Sequence, residues 1–302
     1  MMRKNKSRKR KDHVILLVLV SAIAVVFGLR SYFSQVQTTV LPVLAGEQQE
    51  AELQEEATMI TISLSDIVDT KNLQLVNSEY AFASNGSVPD LVSSNNGLFL
   101  RTDVLTAISS LLNDTRNTVG GQLILNSGYR TAEEQEQLYF NTADKAYVQE
   151  AGHSEHETGL AADIAIQNVA DVENSPQSQY LIKNAWKYGF ILRYPGDKTA
   201  ITGIANEPWH FRYVGEVHAQ YMTEHELVLE EYIERLKKVG SYRLNKGGKN
   251  YTVRYESPHD NQLQLPNDAQ YEISSDNRRL HYHELEIGSS EIRLSIKGNM
   301  IK

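Results

Sequence analysis

Residues 152–164 read GHSEHETGLAADI, placing two histidines and two carboxylates ahead of an apolar run that holds a third carboxylate. Leu160 to Ala165 has the short, apolar character of a core strand, and Asp163 sits inside it. Burying an unpaired ionised carboxylate costs several kcal/mol, so Asp163 must be paired, protonated or bound to a metal. Any fold this chain adopts has to bring a partner to that side chain. His156, seven residues earlier and returning over a turn at Gly159, is placed to share a cation with it.

A third ligand is offered by NEPWHFRYVG at 206–215. Read as a strand from Trp209 to Val214, this stretch turns His210, Arg212 and Val214 one way and Trp209, Phe211 and Tyr213 the other. Two histidines and one carboxylate leave a tetrahedral zinc with an open fourth position, as catalytic zinc sites do. Glu207, three residues before His210, would be free to act as general base. A buried His–Asp pair can equally be a structural hydrogen bond, so the residues alone leave both readings open. His153 reads as a solvated or supporting loop residue, and His281 and His283 as surface residues of a strand. His225-Glu226 lacks the second histidine of a His-Glu-x-x-His helix.

The flanking pattern is α+β. A helix starts at Thr102 or Asp103 and runs through Val104, Ile108, Leu111 and Leu112, and Gln122 to Asn126 is a buried strand. Thr131 and Glu134 form a capping box opening a helix toward Ala143. Residues 178–189 form a helix ended by Gly189. A second box, Thr223 with Glu226, is expected to start a long helix in which Leu229, Ile233 and Leu236 share a face and which Gly240 closes. Beyond it, short alternating runs separated by Gly, Pro, Asn and Asp predict a small β-rich domain over 240–302, after a principal folded domain over 60–239.

The amino terminus obeys different rules. Seven lysines and arginines within residues 1–12 precede an apolar run from Val14 to Leu29. This predicts a cytoplasmic tail over 1–12 and a single-pass transmembrane signal anchor over 13–33, with everything after it outside the cell membrane. A cleavable signal is the competing reading. Residues 34–59, rich in Gln, Glu and Ala, read as an acidic linker or stalk. The chain has no cysteine, so neither disulfides nor a lipidated thiol can be invoked. Formal charge is -8, and since residues 1–12 contribute +6, the rest carries -14, which excludes nucleic acid as a partner.

SEHETGLAAD fits the Ser-x-His-x-x-Gly-x-Ala-x-Asp signature, and EPWH the Glu-x-x-His motif, of the zinc D-alanyl-D-alanine carboxypeptidases of peptidase family M15. Together with NSGYRTAEEQ, NAWKYGFILRYPGDKT, TGI and EPWHFRYVG, the chain from about Leu73 to Val239 resembles the VanY-type vancomycin-resistance D,D-carboxypeptidases, and its β-rich tail is similar to theirs. The resemblance implies a zinc D-Ala-D-Ala carboxypeptidase-like fold over 60–239. It implies one Zn2+ on His156, Asp163 and His210, Glu207 as the proton-handling residue, and Arg130 beside the scissile carbonyl. Ser154, Gln135 and Arg130 would bind substrate. Taken alone, Arg130 could be a surface charge beside a helix and Gln135 an exposed helix position. One departure is His153, where relatives commonly carry Tyr.

The implied reaction is removal of the terminal D-Ala from peptidoglycan precursor pentapeptide stems, with a contribution to glycopeptide resistance. The alternatives are an L,D-carboxypeptidase trimming tetrapeptides and, from another class, a non-catalytic cell-wall-binding or sensor module. A penicillin-binding serine enzyme needs Ser-x-x-Lys, and that tetrad is absent.

Overall fold

The computed structural model describes residues 59–82, 88, 90–256, 258–266, 269–275, 280–286, 295–296 and 299–300, within one compact unit spanning Glu55–Lys302. The expected tail and anchor over 1–33, and the linker except Met59, lie outside the described residues. Among the described residues no helix is long and apolar enough to cross a membrane.

The first described strand is β1 (Met59–Ser63), followed by the short strands β2 (Leu91–Ser93) and β3 (Phe99–Arg101). α1 (Thr102–Val119) buries Val104, Ile108, Leu111, Leu112 and Thr115, the one-sided spacing that makes an amphipathic helix stable only against a core. β4 (Gln122–Ser127) leads into α2 (Ala132–Asn141), whose capping box forms as expected. The Glu134 backbone N–H donates to Thr131 Oγ1 at 3.2 Å and the Thr131 N–H to Glu134 Oε2 at 2.8 Å.

β5 (Ala161–Gln167), β6 (Phe190–Leu192) and β7 (His210–Tyr213) complete an antiparallel sheet in the order β4-β5-β7-β6. One face carries Leu123, Leu125, Ala162, Ile164, Ile166, Phe190 and Phe211. These pack into a single cluster with the buried face of α1 and with Leu181 of α3 (Pro176–Asn184). The helix expected over 178–189 is thus α-helical only to Asn184; a tighter turn over Ala185–Tyr188 follows, closed by Gly189 at a φ of 82°. The opposite face of the sheet holds the chemistry. In the β5–β7 register Asp163 faces His210 and Ala161 faces Arg212, so a small residue leaves room for each large one.

The expected long helix from Thr223 is instead two. α4 (Glu216–Glu224) ends where Thr223 stands, Glu226 takes a left-handed φ of 54°, and α5 (Leu229–Val239) begins afresh. The boxing carboxylate is Glu231, which accepts from the Val228 N–H at 3.1 Å; valine has no acceptor to return the bond. Leu229, Ile233 and Leu236 do share the buried face.

The β-rich tail comprises β8 (Ser241–Lys246), β9 (Lys249–Glu256), β10 (Gln262–Pro266), β11 (Ala269–Ser275) and β12 (Leu280–Glu286), with a four-stranded sheet in the order β11-β12-β9-β8. β10 pairs antiparallel with β1, and the Leu73 N–H donates to Ser274 Oγ at 2.7 Å. Tyr242 and Val253 share one apolar cluster with Leu73, Val214, Leu229 and Tyr232. His281 and His283 fall on β12, and their side chains lie outside the described ones.

Candidate active site

The turn that delivers His156 is built from its own sequence. Ser154 caps a 3-10 turn over Glu155–Thr158, Glu157 accepts from the Gly152 N–H at 2.8 Å, and Gly159 closes the turn at a φ of 70°, where a side chain would be strained. His156 Nδ1 lies 2.6 Å from the Gly128 carbonyl oxygen and must donate to it, so the proton sits on Nδ1 and the Nε2 lone pair faces inward. Nε2 is 3.4 Å from Asp163 Oδ2.

From the facing strand, His210 Nδ1 stands 3.1 Å from Asp163 Oδ1 and 3.7 Å from a Glu207 carboxylate oxygen. Asp163 Oδ1 is buried and, despite that short approach, accepts no aligned hydrogen bond. A buried acceptor left over between two imidazole nitrogens is what a cation-binding set requires. One donor atom from each of His156, Asp163 and His210 lies within 4.8 Å of the others, and two nitrogens with one carboxylate oxygen is a donor set that suits zinc.

Electrostatics follow from burial and these neighbours. Burial works to raise the Asp163 pKa, but the flanking imidazoles of His156 and His210 overcome it and hold the carboxyl well below the usual range. Burial works against the His210 cation, yet the close approach of the Asp163 and Glu155 carboxylates lifts its pKa to about 9. Glu207 is pushed up to about 7, chiefly by burial; His210 opposes the shift, while the Asp163 and Glu155 charges reinforce it. A carboxyl poised near neutrality is suited to exchanging protons.

Arg130, Gln135, Ser154, His156, Asp163, Glu207 and His210 all line one cavity of about 190 Å³. Arg130 Nη1 donates to Gln135 Oε1 at 2.5 Å and Nη2 to Ser127 Oγ at 3.0 Å, while Gln135 Nε2 donates to the Gln149 carbonyl at 2.5 Å. Neither residue is a surface feature; Gln135 is buried and holds the guanidinium from behind. Trp209 and Tyr147, stacked with centroids 6.5 Å apart, stand half exposed in the cavity wall.

Several neighbours are absent from the expected set. Tyr194 lies against the His210 ring with centroids 4.7 Å apart. Glu155, fully buried, accepts from Arg193 Nε at 2.8 Å and Arg212 Nη1 at 2.7 Å, and its other oxygen is 3.3 Å from His210 Nε2. Arg212 carried a signal, since it shares the His210 face of an apolar strand. Glu155 was masked by the like residue Glu157 two positions on, and Arg193 by distance along the chain.

The D-alanyl-D-alanine carboxypeptidase (VanY) family model matches residues 97–216. A D-alanyl-D-alanine carboxypeptidase of Enterococcus faecium is 36% identical over 220 residues, covering 68% of this chain and 72% of the relative. The chain belongs to the VanY family. Among solved structures, the vancomycin-resistance D,D-dipeptidase VanXYg, bound to a D-Ala-D-Ala phosphinate analogue, superposes with a TM-score of 0.65 at 27% identity, over 76% of this chain and 100% of that one. The VanY D,D-pentapeptidase of a VanB-type resistance cassette, an alanine-substituted variant in complex with Zn(II), superposes with a TM-score of 0.50 at 34% identity, over 54% and 98%. Membership of the VanY family makes this chain a zinc metallopeptidase, and the His156–Asp163–His210 set fits the ion.

Proposed function

We propose that this chain hydrolyses the terminal D-Ala from peptidoglycan precursor pentapeptides as a zinc D,D-carboxypeptidase. The carrying observation is the β5–β7 register, which sets Asp163 opposite His210 with the Glu207 carboxylate beside them. The names and bound ligand of the relatives support the substrate class.

Zinc held by His156, Asp163 and His210 would supply a Lewis acid that acidifies an attacking water and polarises the scissile carbonyl. Glu207 accepts a proton from that water and delivers it to the departing D-alanine nitrogen, so no net proton is gained or lost by the protein. Arg130, permanently charged and held in place by Gln135 and Ser127, offers its remaining N–H donors to the carbonyl oxygen or the substrate carboxylate. Ser154 and Gln135 line the same cavity and support binding of the terminal residue. Removing that residue destroys the D-Ala-D-Ala end gripped by glycopeptide antibiotics.

The seven cations followed by an apolar run support a membrane anchor over 13–33 that holds the enzyme outside the cell membrane, next to its substrates. Protease added to intact cells should then digest residues 60–302, and protection of that span would exclude this orientation.

The test is mass spectrometry of muramyl penta- and tetrapeptides incubated with the full-length protein. The pentapeptide should lose one D-Ala, chelator should stop the loss, and added zinc should restore it. Trimming of the tetrapeptide alone would reassign the enzyme as an L,D-carboxypeptidase, and no turnover of either would sink the hydrolase reading. Labelled penicillin should not acylate the protein.

A further inference from the structure

Behind the metal ligands lies a buried ionic cluster that the proposed reaction does not use. Glu155, Arg193 and Arg212 have no exposed side-chain surface, and Glu230 of α5 closes the cluster from the other side. Arg193 donates from Nε to Glu155 and from Nη1 and Nη2 to the two oxygens of Glu230, at 2.8 and 2.6 Å. Arg212 donates to Glu155 and, through Nη2, to the Asn72 and Gln74 carbonyls at 3.1 and 2.8 Å. Two carboxylates and two guanidiniums cancel. The cluster therefore adds no net charge behind a site that has to accept a dication.

Within this arrangement Glu155 has little freedom. Both arginines converge on Oε1, which leaves Oε2 directed at His210 Nε2, 3.3 Å away. An ionised carboxylate can only accept, so Nε2 has to carry the imidazole proton. The neutral ring then presents its lone pair at Nδ1, the atom that faces Asp163 and Glu207. With the opposite tautomer, Nδ1 would be blocked by a proton and two lone pairs would meet at Glu155.

We propose that Glu155, clamped by Arg193 and Arg212 and balanced by Glu230, is the positioning residue that holds His210 as an Nδ1 metal ligand. This rests on the reading of His156, Asp163 and His210 as the zinc set. Glu155 belongs to the wall of the active-site cavity, but its side chain has no exposed surface, so it acts through the ring it orients. Glu230 lies outside the span 97–216 matched by the family model, so a helix beyond that span takes part in setting the metal site.

Zinc dissociation constants of the full-length protein, measured by competition with a chromophoric chelator, test the proposal. Glu155→Gln keeps the shape but must turn an amide N–H toward either the arginines or His210, and should weaken zinc binding 10- to 100-fold. Lys198→Ala, which removes the Lys198–Glu231 bridge at 2.9 Å, should leave the constant unchanged. A folded Glu155→Gln protein that binds zinc within twofold of wild type would overturn the proposal, as would an equal weakening by Lys198→Ala.

Histidine-selective ¹⁵N spectra of the zinc-loaded wild type give a second readout, which needs no variant to fold. His210 should carry its proton on Nε2 and the metal on Nδ1, and the reverse assignment overturns the proposal. His210→Ala separates the two levels of inference. If that variant keeps wild-type zinc affinity, the metal-site reading itself fails; if it loses zinc while Glu155→Gln does not, only the positioning role fails.

Discussion

Asp163 looked anomalous as a carboxylate within an apolar strand, and the structure resolves the anomaly by setting two imidazole nitrogens around it. Glu207 stands close enough to this centre to exchange protons with an attacking water, yet it lies outside the donor set. Glu207→Ala should therefore cut D-alanine release about 10²- to 10⁴-fold while keeping one zinc per chain, measured by product assay beside metal analysis; undiminished turnover would remove its assignment. The same neighbours give a pH dependence. In the metal-free protein the His210 pKa stands at about 9, so below that pH a proton must leave before Nδ1 can bind metal. Apparent zinc affinity should rise about tenfold per pH unit up to about 9 and then level off, as competition with a chelator of known pH behaviour would reveal. A flat response between pH 7 and 8.5 would contradict the raised His210 value.

Secondary-structure elements convert these residues into a site through register and close approach. β3 runs against the loop after β4 so tightly that a Cβ at position 128 would meet the Phe99 carbonyl oxygen, and only glycine fits. The Gly128 carbonyl is also what orients His156. Gly128→Ala should displace that carbonyl and weaken zinc binding about 10- to 100-fold, as loss of an orienting partner typically does; an unchanged zinc constant in a folded variant would mean His156 is held by other contacts. Much of this layer was legible in advance. Period-two alternation gave β7 its two faces, and Thr131 with Glu134 marked the start of α2, because both signals depend on neighbours along the chain. Thr223 with Glu226 carried the same spacing and misled, since Thr223 is spent in the last turn of α4 and tertiary packing breaks the chain at Glu226. Taken from its helix alone, Gln135 could equally have been exposed, for a related reason: the Gln149 carbonyl it donates to is fourteen residues away. The clamp on Glu155 draws partners from 38 and 57 residues along the chain, and no local pattern encodes such a meeting.

For the molecule as a whole, the question is whether the β-rich tail is cargo or part of the structure that supports catalysis. Its texture marks it off in sequence after Gly240, but its core residues do not stay apart in space. Tyr242 is buried, stacks on Tyr221 with centroids 3.8 Å apart, and shares a 2.8 Å hydroxyl contact with Tyr232 of α5, the helix that also carries Glu230. β10 in turn pairs with β1, joining the last third of the chain to its first described residues. Tension between tail and site should thus be transmitted through α5. Tyr242→Ala removes an aromatic ring from this shared cluster and should cost about 3–5 kcal/mol. Because the cluster spans both regions, the loss should lower the midpoint of one common unfolding transition. Thermal scans monitored by circular dichroism, and separately by zinc release to a chelator, should move down together. A tail transition that shifts alone, while zinc release keeps its wild-type midpoint, would show the β-rich region to be an independent domain merely resting on the enzyme.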